Sequence, residues 1–238
     1  MARKLIFLMN PVSGTASKAD VRETIIRRTT AAGIDHEFME TNTAGHYPEL
    51  EKRIRGEGLE EIIAVGGDGT IRQITAALRH LPVRFGLVPL GSGNGLALTA
   101  GIPRHTNKAL DIIYKGDHAP VDAFLVNGLY SCMLTGIGFD AQVAHDFAKQ
   151  KKRGLATYVK VTLRNYLRAG HHPFRIRTDD QELLTDAFFI SIANSNQFGN
   201  YVTIAPMASL SDGLLDIIIV KKMNKVKLVF SLIKQILF

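Results

Sequence analysis

The sequence predicts an α/β N-terminal domain built on a parallel sheet, followed by a second, mostly antiparallel β domain. Two observations lead to this prediction. In residues 1–120, short apolar strand patterns alternate with amphipathic helix patterns, and this rhythm is typical of a parallel sheet covered by helices. In residues 121–238, strand patterns follow one another with one helical interruption, which is typical of antiparallel pairing. The domain boundary is therefore predicted near Pro120.

The first domain opens with a continuous apolar run at residues 4–9, as expected of a strand that is buried on both faces. A helix is predicted at residues 19–32, where Val21 and Ile25 belong to an apolar stripe among charged residues. Gly33 then occupies the position of a helix C-cap. The remaining elements are predicted as strands at 34–40, 61–65 and 85–89 and as helices at 47–55, 70–78, 94–100 and 106–114.

In the second domain, strands are predicted on either side of one helical section at residues 141–169. Asp179 and Asp180 suit a hairpin turn between two of the strands. Residues 226–238 have an apolar helical pattern that stops without a C-cap signal, so we expect that it binds a membrane or a partner, or that further sequence follows it. The strands are predicted at residues 121–126, 130–135, 174–179, 187–193, 201–204 and 214–220.

The composition sets limits on the class of protein. The 238 residues are 46% hydrophobic and 21% charged, which allows a buried core and argues against disorder. Cys132 is the single cysteine, so no internal disulfide can form, as suits a reducing compartment. No apolar run reaches the roughly 20 residues of a membrane span, and we expect a cytoplasmic protein. The net charge of +7 favours anionic partners, whether nucleic acid, nucleotide or acidic lipid.

Three glycine-bearing loops each follow a predicted strand of the first domain, at residues 10–14, 66–70 and 91–95. In a parallel sheet all three lie at the carboxyl edge, where ligands bind. Glycines let backbone N–H groups approach phosphate oxygens, and helix N-termini favour anions. A single such loop would more often be structural, but three at one edge favour phosphate binding. Neither a Walker A motif nor a dinucleotide fingerprint is present, which argues against a P-loop kinase and a Rossmann oxidoreductase.

Asp68 lies among the glycines of the second loop, where a carboxylate repels phosphate unless a cation intervenes or it accepts a proton. Mg²⁺ between Asp68 and the phosphates removes this conflict. Asp68 is therefore predicted to be catalytic, either by organising Mg²⁺ or as the base that takes the proton of the substrate. An aspartate before a glycine is also a common turn or N-cap residue, and the sequence does not separate these roles.

Five segments resemble the motifs of the diacylglycerol kinase catalytic-domain family, which includes bacterial lipid kinases and sphingosine kinases. The resemblance implies a nucleotide-binding domain at residues 1–120 and a β-sandwich domain at residues 121–238, with the active site in the cleft between them. It implies an ATP-dependent kinase that phosphorylates the hydroxyl of a membrane lipid such as diacylglycerol. The segments are Asn10-Pro11-Val12-Ser13-Gly14, Gly66-Gly67-Asp68-Gly69-Thr70, Pro89-Leu90-Gly91-Ser92-Gly93-Asn94, Gly136-Ile137-Gly138-Phe139-Asp140 and Ser211-Asp212-Gly213-Leu214-Leu215-Asp216.

The resemblance also assigns site residues. It implies a structural Mg²⁺ held by the carboxylate of Asp212 and the main-chain carbonyls of Ser209 and Leu214. A hairpin turn at Asp212 is compatible with that role. The residues implied to contact ATP are Asn10, Pro11, Val12, Ser13, Gly14, Thr41, Gly66, Gly67, Gly69, Thr70, Ser92 and Asn94.

The sequence departs from the family pattern at two places. Ser92 and Gly95 replace the commoner threonine and aspartate, and the carboxylate missing at position 95 has no obvious substitute. The acidic Asp-Gly-Glu segment that the family uses in proton removal does not occur. We therefore expect that the second domain is truncated and that the native chain extends beyond Phe238.

A basic run at residues 149–153 precedes a predicted helix, and near an anionic membrane each of its charges is worth about 1 kcal/mol. A solvated loop explains this run equally well. Lys221, Lys222, Lys225 and Lys227 offer a second contact, and we expect peripheral binding at the inner membrane surface. The alternatives are a NAD-kinase-like enzyme with a soluble substrate and a non-catalytic lipid- or nucleotide-binding protein. No nucleic-acid-binding module is recognised. The lipid and the formation of a homodimer are left open.

Overall fold

A four-stranded parallel sheet forms the first domain in a computed structural model of the chain, which describes residues 3–14, 16–150 and 154–221. The strand order is β2-β1-β3-β4, and every pairing is parallel. The central strands β1 and β3 are almost entirely buried, as continuous apolar runs require. The strands are β1 (Lys4–Met9), β2 (Asp35–Glu40), β3 (Glu61–Gly66) and β4 (Arg84–Pro89).

Helices cover both faces of this sheet because successive strand residues point to opposite sides. Ile6 and Ile62 face one apolar layer with Ile74, whereas Phe7 and Ile63 face the other. The parallel α/β domain expected from the alternating pattern is thus confirmed. The helices are α1 (Lys18–Ala31), α2 (Pro48–Glu57), α3 (Asp68–Leu78), α4 (Gly95–Thr99) and α5 (Thr106–Lys115).

The second domain contains three small antiparallel sheets in its described part, which confirms its predicted strand pairing. The largest sheet has the order β11-β10-β7, while β5 pairs with β6 and β8 pairs with β9. Two helices, α6 (Phe139–Ala148) and α7 (Leu155–Arg168), lie between β7 and β8 along the chain. The strands are β5 (Phe124–Val126), β6 (Leu129–Ser131), β7 (Leu134–Gly138), β8 (His172–Arg177), β9 (Glu182–Ala187), β10 (Phe189–Ala193) and β11 (Asp216–Val220).

Three predicted elements of the second domain are wrong, and one strand was not predicted. The strand predicted at residues 130–135 is two strands, β6 and β7. Residues 201–204 form no strand but only an isolated bridge between Gln197 and Thr203, because the positive φ angles of Asn200 and Tyr201 interrupt extended backbone. The single predicted helical section is two helices. The strand β9 was not predicted, since Leu183 and Leu184 are adjacent and both exposed and so produce no alternating pattern.

Some sequence predictions concern residues outside the described ranges. These are the helical pattern at 226–238 and the basic residues Lys151, Lys152, Arg153, Lys222, Lys225 and Lys227. Within the described ranges, no helix combines the length and the apolar character that crossing a membrane requires.

Candidate functional site

The three glycine loops meet at the carboxyl edge of the parallel sheet. The second and third loops touch through their backbones, since a Cβ added to Gly91 would lie 2.6 Å from the Cα of Gly67. The first loop packs against the start of the third, because a Cβ on Gly14, whose φ is +63°, would overlap the carbonyl oxygen of Leu90. Contacts this close exclude any side chain at these positions. Their glycines are therefore explained by packing.

Polar side chains hold the loops in this arrangement. The amide of Asn10 in the first loop donates to the hydroxyl of Thr70 in the second loop, at 2.8 Å. In the third loop, the amide of Asn94 donates to the carbonyl of Gly91 at 2.7 Å, and Asn94 has a left-handed φ of 55°. Thr70 and Asn94 are both buried. These residues, predicted as ATP contacts, thus maintain the shape of the loops from inside.

Other predicted ATP contacts are accessible at the same edge. Thr41 is half-buried just after β2, where its N–H donates to the carbonyl of Met9 at 3.0 Å. Val12 and Gly69 are exposed, and Ser92 is half-buried. The structure therefore brings the predicted ATP-binding residues of all three loops, with Thr41, to one end of the sheet.

Asp68 connects the second loop to the short helix α4. Its two carboxylate oxygens accept the N–H groups of Gly95, at 3.0 Å, and of Leu96, at 3.1 Å. Burial raises the pKa of Asp68, and these backbone hydrogen bonds work in the opposite direction. A carboxylate offers about four acceptor sites, so two bonds leave capacity for a cation, a water molecule or a proton. The orientation of the Asp68 side chain is thus fixed, while some of its acceptor sites remain available.

The segment at residues 209–214, predicted to hold Mg²⁺, is half-buried at Ser209 and Leu210 and exposed at residues 211–214, and it is rich in oxygen atoms. Asp212 accepts the N–H of Leu214 at 3.0 Å through one carboxylate oxygen. Asp122, which the sequence reasoning missed, accepts the N–H of Gly213 at 2.7 Å. Carboxylate and carbonyl oxygens suit Mg²⁺. No group of three or more His, Cys, Asp or Glu side chains in the described part of the chain forms a metal cluster, so a Mg²⁺ ion held here would need main-chain carbonyls and water as further ligands.

No local sequence pattern indicated Asp122, because it lies 91 residues before Gly213 in the sequence.

The fourth motif, at residues 136–140, contains a glycine that packing explains. A Cβ on Gly136 would overlap the carboxylate of Asp140, so this glycine makes room for the acid. Burial raises the pKa of Asp140 to about 6. Burial also raises the pKa of Tyr158, and the charge of Asp140 acts in the same direction.

The chain is similar to known proteins along most of its length. Residues 4–126 match the family described as the diacylglycerol kinase catalytic domain, and residues 134–236 match the YegS C-terminal NAD kinase beta sandwich-like domain. It is 29% identical over 229 residues to a diacylglycerol kinase of Bacillus subtilis, covering 91% of this chain and 73% of that protein. It is 30% identical over 204 residues to a probable lipid kinase YegS of Salmonella typhimurium, covering 82% of this chain and 67% of that one.

The fold also has relatives among solved structures. A putative diacylglycerol kinase from Bacillus anthracis superposes with a TM-score of 0.75 at 26% identity, covering 98% of this chain and 80% of that chain. A further crystal structure of a diacylglycerol kinase from the same organism gives a TM-score of 0.73 at 24% identity, covering 97% of this chain and 80% of the other, and shows a likeness in fold alone.

Proposed function

Because the chain belongs to the diacylglycerol kinase catalytic-domain family, a family of phosphotransferases with an alcohol group as acceptor, we propose that it transfers the γ-phosphate of ATP to the hydroxyl of a membrane lipid such as diacylglycerol. The observation that carries this proposal is the meeting of three glycine loops at one sheet edge, with Asp68 anchored among them. Phosphoryl transfer depends mainly on positioning and charge neutralisation, and this edge offers both.

Gly69 supports phosphate contact at the second loop. It stands exposed in the first turn of α3, and a Cβ there would meet no atom within 4 Å. Alanine stabilises a helix by about 1 kcal/mol relative to glycine, so neither packing nor helix propensity accounts for this residue. Close approach of a phosphate to the N-terminus of α3 does account for it, since the free N–H groups and the helix dipole favour an anion there.

Asp68 is the group that we assign to catalysis. With its oxygens fixed by Gly95 and Leu96, it can hold the Mg²⁺ that accompanies ATP or accept the proton of the lipid hydroxyl without reorienting. Mg²⁺ neutralises charge on the phosphates when it is bound. We assign a second, structural Mg²⁺ to Asp212 with the carbonyls of Ser209 and Leu214, and Asp122 keeps that segment in place through Gly213.

The helix α7 has a surface that suits an anionic membrane. Leu163 and Leu167 are 44% and 75% exposed and lie one turn apart on the same side of the helix. Lys160, Arg164 and Arg168 form a neighbouring exposed row. An apolar stripe beside basic residues is the pattern of helices that lie in a membrane interface. We therefore place peripheral docking of the kinase at this surface of α7.

Charge reversal tests this docking. We expect the double variant Lys160→Glu with Arg164→Glu to bind vesicles containing phosphatidylglycerol at least tenfold more weakly, because each basic residue contributes about 1 kcal/mol near an anionic surface. Co-sedimentation with vesicles measures the binding of each variant. Arg175→Glu with Arg177→Glu, on the exposed hairpin strand β8, changes the net charge equally and serves as the control. An equal loss in both double variants would refute a role for α7.

Transfer of label from radioactive ATP tests the reaction itself. We expect label in phosphatidic acid when diacylglycerol is offered in vesicles, and none in NADP when NAD is offered in parallel. Label in NADP alone would support a soluble-substrate kinase instead. Binding of ATP without transfer to either acceptor would support a non-catalytic nucleotide-binding protein.

A further inference from the structure

Residues 196–201 of the second domain are in direct contact with the third glycine loop of the first domain. The N–H of Asn200 donates to the carbonyl of Gly93 at 3.0 Å. A Cβ on Gly199 would lie 2.7 Å from the carbonyl carbon of Gly93, and a Cβ on Gly95 would lie 3.0 Å from the carbonyl oxygen of Gln197. The two backbones therefore touch. The space beside Gly95 is occupied by this segment, so a side chain at position 95 would require the backbone of residues 197–199 to shift.

The segment holds an unfavourable backbone conformation. Asn200 and Tyr201 have φ angles of 51° and 63°, which are uncommon for residues with a side chain, and Gly199 before them has a φ of 104° that glycine adopts readily. Strained backbone persists only where its surroundings hold it, and it concentrates at functional sites.

Arg104, in the connection between α4 and α5, supplies contacts that hold the segment. Its guanidinium donates to the side-chain oxygen of Asn200 at 2.6 Å and to the carbonyl of Gly93 at 2.8 Å. It also lies over the ring of Tyr201, 5.6 Å from the ring centre. One side chain thus joins the third loop of the first domain to the strained segment of the second.

These contacts act on the part of the loop that is proposed to bind ATP. Gly93 follows Ser92, and Gly95 donates its N–H to Asp68. At the other end of α4, the hydroxyl of Thr99 donates to the side-chain oxygen of Asn196 at 2.9 Å. The loop and α4 are therefore held from the Asp68 side by the first domain and from the opposite side by residues 196–201.

We propose that Arg104 and Asn200 are positioning residues that keep the third loop in its ATP-binding shape, so that ATP affinity depends on contact with the second domain. This inference rests on the proposed function. When these contacts are lost, ATP must order the loop as it binds, and the conformational entropy lost in that step lowers the affinity for ATP. Substitution at either residue therefore weakens ATP binding and leaves the chemical step intact.

Three single variants, one double variant and one control test this inference. Arg104→Ala removes both hydrogen bonds, which one guanidinium nitrogen donates, and Arg104→Lys keeps the charge but lacks the planar guanidinium that lies over Tyr201. Asn200→Gly removes the acceptor while tolerating a φ of 51°. The double variant combines Arg104→Ala with Asn200→Gly. Arg84→Ala is the control, since among the residues that the structure describes Arg84 forms ion pairs with Glu60 and Glu61 of the first domain. Each variant is assayed for the Kd of ATP by direct titration, the KM for ATP, the KM for lipid, kcat and thermal unfolding.

We expect Arg104→Ala and Asn200→Gly each to raise the Kd and KM for ATP about tenfold, which corresponds to about 1.4 kcal/mol. The double variant is expected to be no worse than either single one, because both break the same contact. Arg104→Lys is expected to stay impaired, whereas kcat, the KM for lipid and the unfolding temperature remain close to those of Arg84→Ala.

Unchanged ATP affinity in Arg104→Ala would overturn the inference, and so would a fall in kcat that parallels a fall in the unfolding temperature. Titration of ATP separates this test from the proposed function. If the parent chain binds ATP but transfers no phosphate to lipid, the proposed function fails while the affinities of the variants still decide the role of Arg104 and Asn200.

Discussion

Replacing Asp68 with asparagine is expected to lower kcat for lipid phosphorylation by about 10²–10⁴-fold, the range for loss of a general base or a preorganised electrostatic group. Asparagine has the same shape but no charge, and its oxygen can accept only part of the bonding that Gly95 and Leu96 now offer the carboxylate. Loss of one such cap costs about 1 kcal/mol, so we expect the unfolding temperature to fall by roughly 2–4 °C. Initial rates and thermal unfolding measure the two effects.

Asp111→Asn is the control for Asp68→Asn, because it removes a carboxylate that pairs with Arg28 on the outer surface. It is expected to leave the rate near that of the parent chain. If Asp68→Asn also kept the parent rate and lost only stability, Asp68 would be a helix cap without a catalytic role.

The pH profile of the parent chain adds a second test of Asp68. Burial raises the pKa of this carboxyl group, and its charged form is the one that binds Mg²⁺ or accepts a proton. Activity is therefore expected above the raised pKa and is lost as the pH falls through it. The fall should begin at a higher pH than an ordinary aspartate would cause. Asp68→Asn should lack this acidic limb.

Replacing Gly91 with alanine is expected to destabilise the fold by about 1–3 kcal/mol and to weaken ATP binding at least tenfold. The new Cβ would lie 2.6 Å from the Cα of Gly67 and 2.7 Å from the side-chain oxygen of Asn94. The first of these neighbours is backbone, so no rotation relieves the overlap, and the second and third loops must separate. Thermal unfolding and titration with ATP measure both effects.

Gly69→Ala is the matched substitution, because it adds the same methyl group where nothing lies within 4 Å. We expect unchanged or slightly raised stability, since alanine favours the helix by up to about 1 kcal/mol. ATP binding should nevertheless weaken about tenfold if phosphate approaches this backbone. Parent-like ATP affinity in Gly69→Ala would show that the phosphates do not approach there. Parent-like stability in Gly91→Ala would show that the contact with Gly67 is dispensable.

The sequence alone was sufficient for the family, the enzyme class and the two-domain fold. The first domain was predictable nearly element by element, because β1 and β3 are continuous apolar runs and the covering helices are amphipathic. Burial of this kind leaves a periodic signal within a short window. The second domain was less predictable: residues 201–204 form no strand because positive φ angles interrupt them, and the exposed strand β9 has no alternating face.

Only the tertiary structure decided which groups Asp68 bonds, that Asp122 reaches the segment at 209–214, and that Arg104 joins the third loop to Asn200. Each of these contacts joins residues separated by 27 or more positions, and the last joins the two domains. Such a contact depends on the path of the chain through several intervening helices and strands, and no local pattern of hydrophobic residues or glycines indicates that path. The sequence determined the chemistry present at the sheet edge, and the fold determined what holds it there.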